Sequence, residues 1–260
     1  MSALLLALLA LGRVPTGVQS LLAKTDNLEQ KETTIRNARF GDVTFMVWMG
    51  EEEETRCGAA VISDTWAVTV ASCALRHLAG EANIIAATKN GSHTIHRIAV
   101  VVVHHSFSEM EGNIALVQVK DPFSANRNVR TVELPLQDED LSASTKAVVI
   151  ARRVAALDEA NSSSGGDLKC LSVDLESQEA CEGSPVYSGS FAVTADMICA
   201  QRSANAAYKE ELGSAMVVRS RRRAKLVGLL GWVHHTGPRA VAVYTRLAAY
   251  RLWVHLKTGA

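Results

Sequence analysis

CGAAVISDTWAVTVASC, residues 57–73, is the stretch that decides the fold. Two strand-length apolar runs, 59–62 and 66–71, are rich in Ala, Val and Ile and are separated by Ser63-Asp64-Thr65, residues that favour turns. The pattern repeats outward in both directions. Runs at 43–49, 95–103, 114–119, 147–150, 215–218 and 226–232 are each set off from the next by Gly, Asn, Asp, Ser or charged residues. Many short strands without alternating long helices predict an antiparallel sandwich or barrel. Only the end of the chain reads as helical, because Leu247, Tyr250 and Val254, with Trp253 beside them, recur at helical spacing through 245–257. No internal repeat of fixed period is present.

The 260 residues suit one all-β or α/β domain, or two small ones, and 48% hydrophobic with 21% charged residues supports a sizeable core. Lys+Arg and Asp+Glu balance at 27 each. The whole molecule therefore has no field that would attract nucleic acid or an anionic membrane, and any charged partner must find a local patch. Aromatic residues at 5% argue against a stacking platform for single strands.

Residues 1–20 read as a secretory signal: 3–11 is a short unbroken apolar run followed by Gly12, Arg13 and Pro15, with Val18 and Ser20 ahead of a plausible cut. A buried N-terminal helix is the alternative. The run is too short to span a bilayer and no later stretch reaches that length, so the expectation is a secreted, extracellular protein with no membrane span. Residues 21–34 are polar and aperiodic and read as an arm, leaving 35–260 as the folded domain. In an oxidising compartment the five cysteines, Cys57, Cys73, Cys170, Cys181 and Cys199, are disulfide material, and the odd number leaves at least one free or paired outside the chain. No CxxC pair or HxxxH helix suggests zinc, and no cofactor is implied. Asn90 and Asn161 open glycosylation sequons in polar stretches.

Two charge runs, 51–54 (four glutamates) and 219–225 (Arg219, Arg221, Arg222, Arg223 and Lys225), sit where hairpin tips would be. They read first as solvated loop tips that discourage edge pairing. The basic run is also an anion-binding candidate for a sulfated glycan, phosphate or acidic protein surface. The pairs His104-His105 and His234-His235 offer at most one metal ligand per strand face. Ser164-Gly165-Gly166 lies in a Ser-rich loop without the strand–turn context of a nucleophilic serine.

Residues 57–73 resemble the first disulfide segment of the chymotrypsin/trypsin-like serine proteases, which runs from Cys-Gly-Gly through a hydrophobic strand and Trp to Ala-Ala-His-Cys. Four further segments resemble the family in family order: 111–117 (EGNIALV), 196–200 (DMICA), 226–232 (LVGLLGW) and 243–247 (VYTRL). The resemblance covers roughly residue 35 to the C-terminus. It implies two antiparallel six-stranded β-barrels with a C-terminal helix and a cleft between the barrels. It also implies disulfides Cys57–Cys73 and Cys181–Cys199, with Cys170 left over.

The reactive positions depart from the family pattern. Its histidine falls on Ser72, its aspartate on Asn113, and its nucleophilic serine on Leu212; its oxyanion-hole glycine falls on Glu210. The family mechanism needs a hydroxyl, an imidazole to take its proton and a carboxylate to hold that imidazole. A slip of the alignment brings Ser214 closer to the nucleophile position but restores neither partner. The activation segment, near Ile35-Arg36-Asn37-Ala38, lacks both a basic cleavage residue and a glycine pair. The specificity pocket falls on Ala206, Val233 and Ala242, with no acid at its base and side chains where the family keeps glycine. The expectation is a pseudoprotease: a secreted binding or regulatory module in a protease cascade, partnered by an active protease or its substrate. Residual serine-type endopeptidase activity is the alternative, and a glycan-binding role for 219–225 is a weaker one.

Overall fold

The computed structural model describes residues 35–260 except 51–56, 78–81, 88–91, 109, 144, 152–167, 184–191, 202–211, 221–222 and 237–238. The side chains of 35, 201, 220, 234–236 and 239–241 are likewise outside the described set. After a short strand β1 (Ile35–Asn37), the chain builds a closed barrel. Its strands are β2 (Met46–Gly50), β3 (Cys57–Val61), β4 (Trp66–Thr69), β5 (Asn83–Ala87), β6 (His93–Val103) and β7 (Ala115–Val119), in the order β2-β3-β4-β7-β6-β5, all pairs antiparallel.

Every residue of β2 and β3 is buried, and this explains the unbroken apolar runs of the sequence. Alternation sends Val47, Met49, Ala59 and Val61 into the barrel, where they meet Ala67, Ile84, Val117 and Phe123. The opposite faces of the same strands carry Met46, Trp48 and Ala60. These pack against Ala215, Val217, Leu226 and Leu229 of the second half of the chain. One strand pair thus serves two cores.

The second half forms a seven-stranded antiparallel sheet, β1-β9-β8-β11-β12-β13-β10. The new strands are β8 (Lys146–Ala151), β9 (Lys169–Asp174), β10 (Met197–Gln201), β11 (Ala215–Ser220), β12 (Arg223–Thr236) and β13 (Arg239–Arg246). An isolated bridge from Leu175, just past β9, to Ala200 of β10 brings the two ends of the six-stranded part together, reinforced by the Glu176 N–H on the Cys199 carbonyl at 3.0 Å. The seventh strand, β1, adds on β9, so this half is a rolled sheet with an extra edge strand rather than six strands alone. Leu171, Met216, Leu230 and Tyr244 fill its interior.

Two helical expectations are corrected. Residues 245–257 are not one helix: Thr245 still pairs with Met197 and Leu229 in the sheet. The chain turns only afterwards, through a 3-10 turn at Leu247–Tyr250 into a C-terminal helix at Arg251–Thr258. Nor is the end the only helical part. Short helices α1 (Ala71–Arg76) and α2 (Gln178–Gly183) precede the terminal helix α3 (Arg251–Thr258). The run 66–71 carries no Gly or Pro to announce that its last residue already belongs to α1.

Candidate active site

Where the barrel meets the rolled sheet, two backbones touch. The Gly58 N–H of β3 donates to the Leu212 carbonyl at 2.7 Å, and the Gly213 N–H donates to the Leu230 carbonyl of β12 at 2.8 Å. A Cβ on Gly213 would lie 1.9 Å from the Gly58 oxygen, and one on Gly58 would lie 2.6 Å from the Gly213 oxygen. Gly213 also has φ +80°, a left-handed conformation that side chains disfavour. Neither position has room for anything but hydrogen. Thr69 finishes the contact by donating its hydroxyl to the Gly58 carbonyl at 2.7 Å.

This crossing places the three residues that the family resemblance assigns to the reactive roles. Leu212 is half-buried against the shared core. Ser72 is the second residue of α1, one position before Cys73, whose disulfide to Cys57 has a Cα separation of 6.1 Å and ties α1 to β3. Asn113 lies just before β7 and is 2% exposed; its Oδ1 accepts the Ser72 backbone N–H at 2.9 Å. That bond satisfies one of the free N–H groups at the start of α1, whose own N-cap, Val70, has no side chain able to do so. The Asn113 carbonyl in turn accepts the Thr245 hydroxyl at 2.8 Å. Ser72 and Asn113 are therefore brought together, but not through the atoms that could react. The Ser72 Oγ and the Asn113 Nδ2 are buried and have no hydrogen-bond partner among the described residues. Gly231 of β12 is the neighbour of that amide nitrogen: a Cβ on Gly231 would stand 3.4 Å from it.

Ser214, two residues beyond Leu212, is held in the sheet by its backbone. It is buried, its carbonyl accepts the Leu230 N–H at 2.9 Å, and the next residue, Ala215, is registered against both Leu229 and Ile150.

Several supporting residues were not apparent from the sequence. Asp196 accepts the Tyr250 hydroxyl, the Thr194 hydroxyl and, at 3.3 Å, the Gly112 N–H, which fixes the backbone next to Asn113. Burial, reinforced by this carboxylate, pushes the Tyr250 phenol far above its ordinary range, so it stays a donor. His104 sits edge-on to Tyr250 and Trp253, with ring centroids at 5.0 and 4.9 Å, and its Nδ1 lies 2.7 Å from the Ser106 hydroxyl. Desolvation, then the adjacent His105, lower its pKa, while Asp196 pulls the other way. Asp196, Thr69 and Gly213 gave no local signal, because each acts on a segment distant in sequence.

Disulfides join Cys57 to Cys73 and Cys181 to Cys199, the latter with a Cα separation of 5.7 Å; Cys170 is a buried free thiol whose pKa burial raises. Of the pocket positions, Val233 and Ala242 are direct cross-strand partners; Ala242 is fully buried and Val233 packs against the same core. Ala206, Glu210, the sequon residues Asn90 and Asn161, Arg221 and Arg222, the glutamate run 51–54, Ser164 to Gly166 and residues 1–34 lie outside the described residues, as do the His234 and His235 side chains. No helix among the described residues is long and apolar enough to cross a membrane.

A closed antiparallel barrel and a rolled second sheet, joined by a close glycine crossing, with the first disulfide beside it and a C-terminal helix behind, define the trypsin fold. The trypsin family model matches residues 33–254, and the chain belongs to that family. It is 26% identical over 211 residues to transmembrane protease serine 11G of Rattus norvegicus, covering 78% of this chain and 49% of the relative. Against transmembrane protease serine 11B of Homo sapiens it is 28% identical over 222 residues, 82% of this chain and 51% of the relative. Against trypsin-3 of Salmo salar the figures are 27% over 206 residues, 76% and 81%. The chain thus spans about half the length of the transmembrane proteases it matches.

Proposed function

We propose that this member of the trypsin family is a non-catalytic homologue that works by binding. It acts as a secreted regulatory module in a protease cascade, and its partner is an active protease or that protease's substrate. The observation that carries the reading is the Ser72–Asn113 pair. Acyl transfer by this fold needs a base that takes a proton from the nucleophile and a carboxylate that holds the base. At the corresponding positions stand a hydroxyl and a neutral amide, linked through a backbone N–H, with Leu212 offering no heteroatom. In a serine protease triad, exchanging the aspartate alone for asparagine lowers kcat about ten-thousand-fold. Here the base and nucleophile positions are altered as well. The paired Val233 and Ala242 support the same reading, since side chains there narrow a slot that would otherwise admit a substrate side chain.

A panel of fluorogenic peptides covering basic, aromatic and small residues before the cleavage point tests the reading. The expected result is no hydrolysis above the solvent rate. Turnover that disappears in Ser72→Ala or Ser214→Ala would assign a residual hydrolase activity instead.

A further inference from the structure

Apart from the Ser72–Asn113 centre, a cleft of about 620 Å³ between segments 41–45 and 130–133 and the strands β11 and β12 is lined by arginines from separate segments of the chain. Arg219 of β11 forms one side. Its Nη1 lies 3.4 Å from the Asp42 carboxylate, its Nη2 donates to the Asp42 carbonyl at 3.3 Å, and its Nε is buried without a partner among the described residues. Asp42 also has Arg36 on it, at 3.9 Å. Arg130 is anchored by donating its Nη1 to the carbonyls of Arg127 and Val129 at 2.7 and 2.9 Å, bonds that fix the guanidinium. Arg223 opens β12 and is exposed. Among the described residues neither Arg130 nor Arg223 has a carboxylate partner. Three guanidiniums and two carboxylates, Asp42 and Glu133, line the cleft, in a protein whose overall charge is zero. A second cleft of about 320 Å³ shares Arg223 and Glu133 and adds Lys225, which is held by Glu139 at 2.6 Å.

We propose that the larger cleft is a binding site for a sulfate- or phosphate-type oxyanion. Arg130 and Arg223 would be the direct donors, and Arg219, clamped by Asp42, the fixed positive charge at its wall. The planar fork of a guanidinium matches a tetrahedral oxyanion with two parallel N–H donors, and two such forks from different segments define a position rather than a diffuse field. The carboxylates do not cancel the site: Asp42 is committed to Arg219 and Arg36, which leaves Glu133 opposing the ligand among the described lining residues. The site is independent of catalysis and would operate whether or not the Ser72–Asn113 centre is inert.

The test is titration calorimetry of the full chain at low ionic strength with inorganic sulfate, inorganic phosphate, a heparin-derived hexasaccharide and its desulfated counterpart. Arg130→Ala and Arg223→Ala should each weaken oxyanion binding about tenfold, the scale of a charge-assisted hydrogen bond. Arg97→Ala, which removes an exposed arginine paired with Asp121 on the other barrel, should change nothing. Tighter binding of the sulfated hexasaccharide than of either free ion assigns the source to a glycan. Equal binding of the free ions with the same arginine dependence assigns it to a soluble anion. No binding, undiminished binding of the desulfated sugar, or equal losses in Arg97→Ala and Arg223→Ala would overturn the proposal. Arg130 and Arg223 are surface residues, and an unchanged unfolding temperature in each variant separates a lost contact from a lost fold.

Discussion

Two regions within one hydrogen-bonded neighbourhood differ in how completely their atoms are used. At the Gly58–Gly213 crossing, hydrogen is the only side chain that fits and the surrounding backbone groups are paired. Next to it, the Ser72 Oγ and the Asn113 Nδ2 are buried and, among the described residues, unpartnered. The contrast teaches that close packing between the two halves of this fold does not carry with it full use of the polar atoms beside the contact. The two glycines are fixed by sterics, whereas the Ser72 Oγ and the Asn113 Nδ2 are polar atoms left unused among the described residues.

The sharpest way to break this comparison is to put a methyl group on each side of it. Gly213→Ala drives a Cβ into the Gly58 carbonyl at a left-handed backbone position and should cost about 4 kcal/mol or prevent folding, read by urea unfolding. Gly183→Ala, at the end of α2 with nothing within 4 Å of the new methyl, should be neutral or stabilising by about 0.5 kcal/mol. Similar costs at the two positions would mean that the crossing is not the constraint described.

Next in size is the Cys181–Cys199 bridge, which closes a loop of 18 residues in sequence separation. Replacing both cysteines by alanine should remove about 3 kcal/mol, chiefly by freeing the unfolded chain. In the intact protein, thiol titration should count one group only after denaturation, since Cys170 is buried and its thiol is kept protonated. A thiol that reacts in the native protein would contradict that placement.

Smaller effects sharpen the comparison further. Thr69→Val deletes the hydroxyl that satisfies the Gly58 carbonyl and should cost about 2 kcal/mol. Ser72→Ala deletes a buried hydroxyl that satisfies nothing and should leave stability unchanged or raise it by about 1 kcal/mol. The reverse ranking would mean that the Ser72 Oγ has a partner after all.

The pH dependence gives the smallest signal. His104 has a folded pKa below its ordinary 6.5, so on acidification the unfolded chain takes up that proton first. Stability should fall as pH drops through and below 6.5, and His104→Gln should flatten that part of the profile. A profile that is identical in the variant would remove His104 from the account.

Much of the architecture was legible because buried strands announce themselves. The runs 59–62 and 66–71 became Cys57–Val61 and Trp66–Thr69, and both are continuous rather than alternating because each strand serves two cores. The helical register of Leu247, Tyr250 and Val254 was correct, but it could not reveal that Thr245 remains in the β13 ladder, since a ladder partner lies far away in sequence. The candidate reactive positions were legible only through resemblance. Their mutual arrangement was not: the Ser72–Asn113 bond spans 41 residues and uses a backbone donor. The arginine cleft was half legible. The basic run marked Arg219 and Arg223, but Arg130 and Asp42 reach it by folding alone.

The central claim is that this scaffold presents no activated nucleophile. Reaction of the native protein with a fluorophosphonate probe, followed by intact-mass measurement, tests it most directly. The account predicts no adduct after prolonged exposure to excess probe. A single stoichiometric adduct on a serine, absent when the protein is first unfolded, would contradict it.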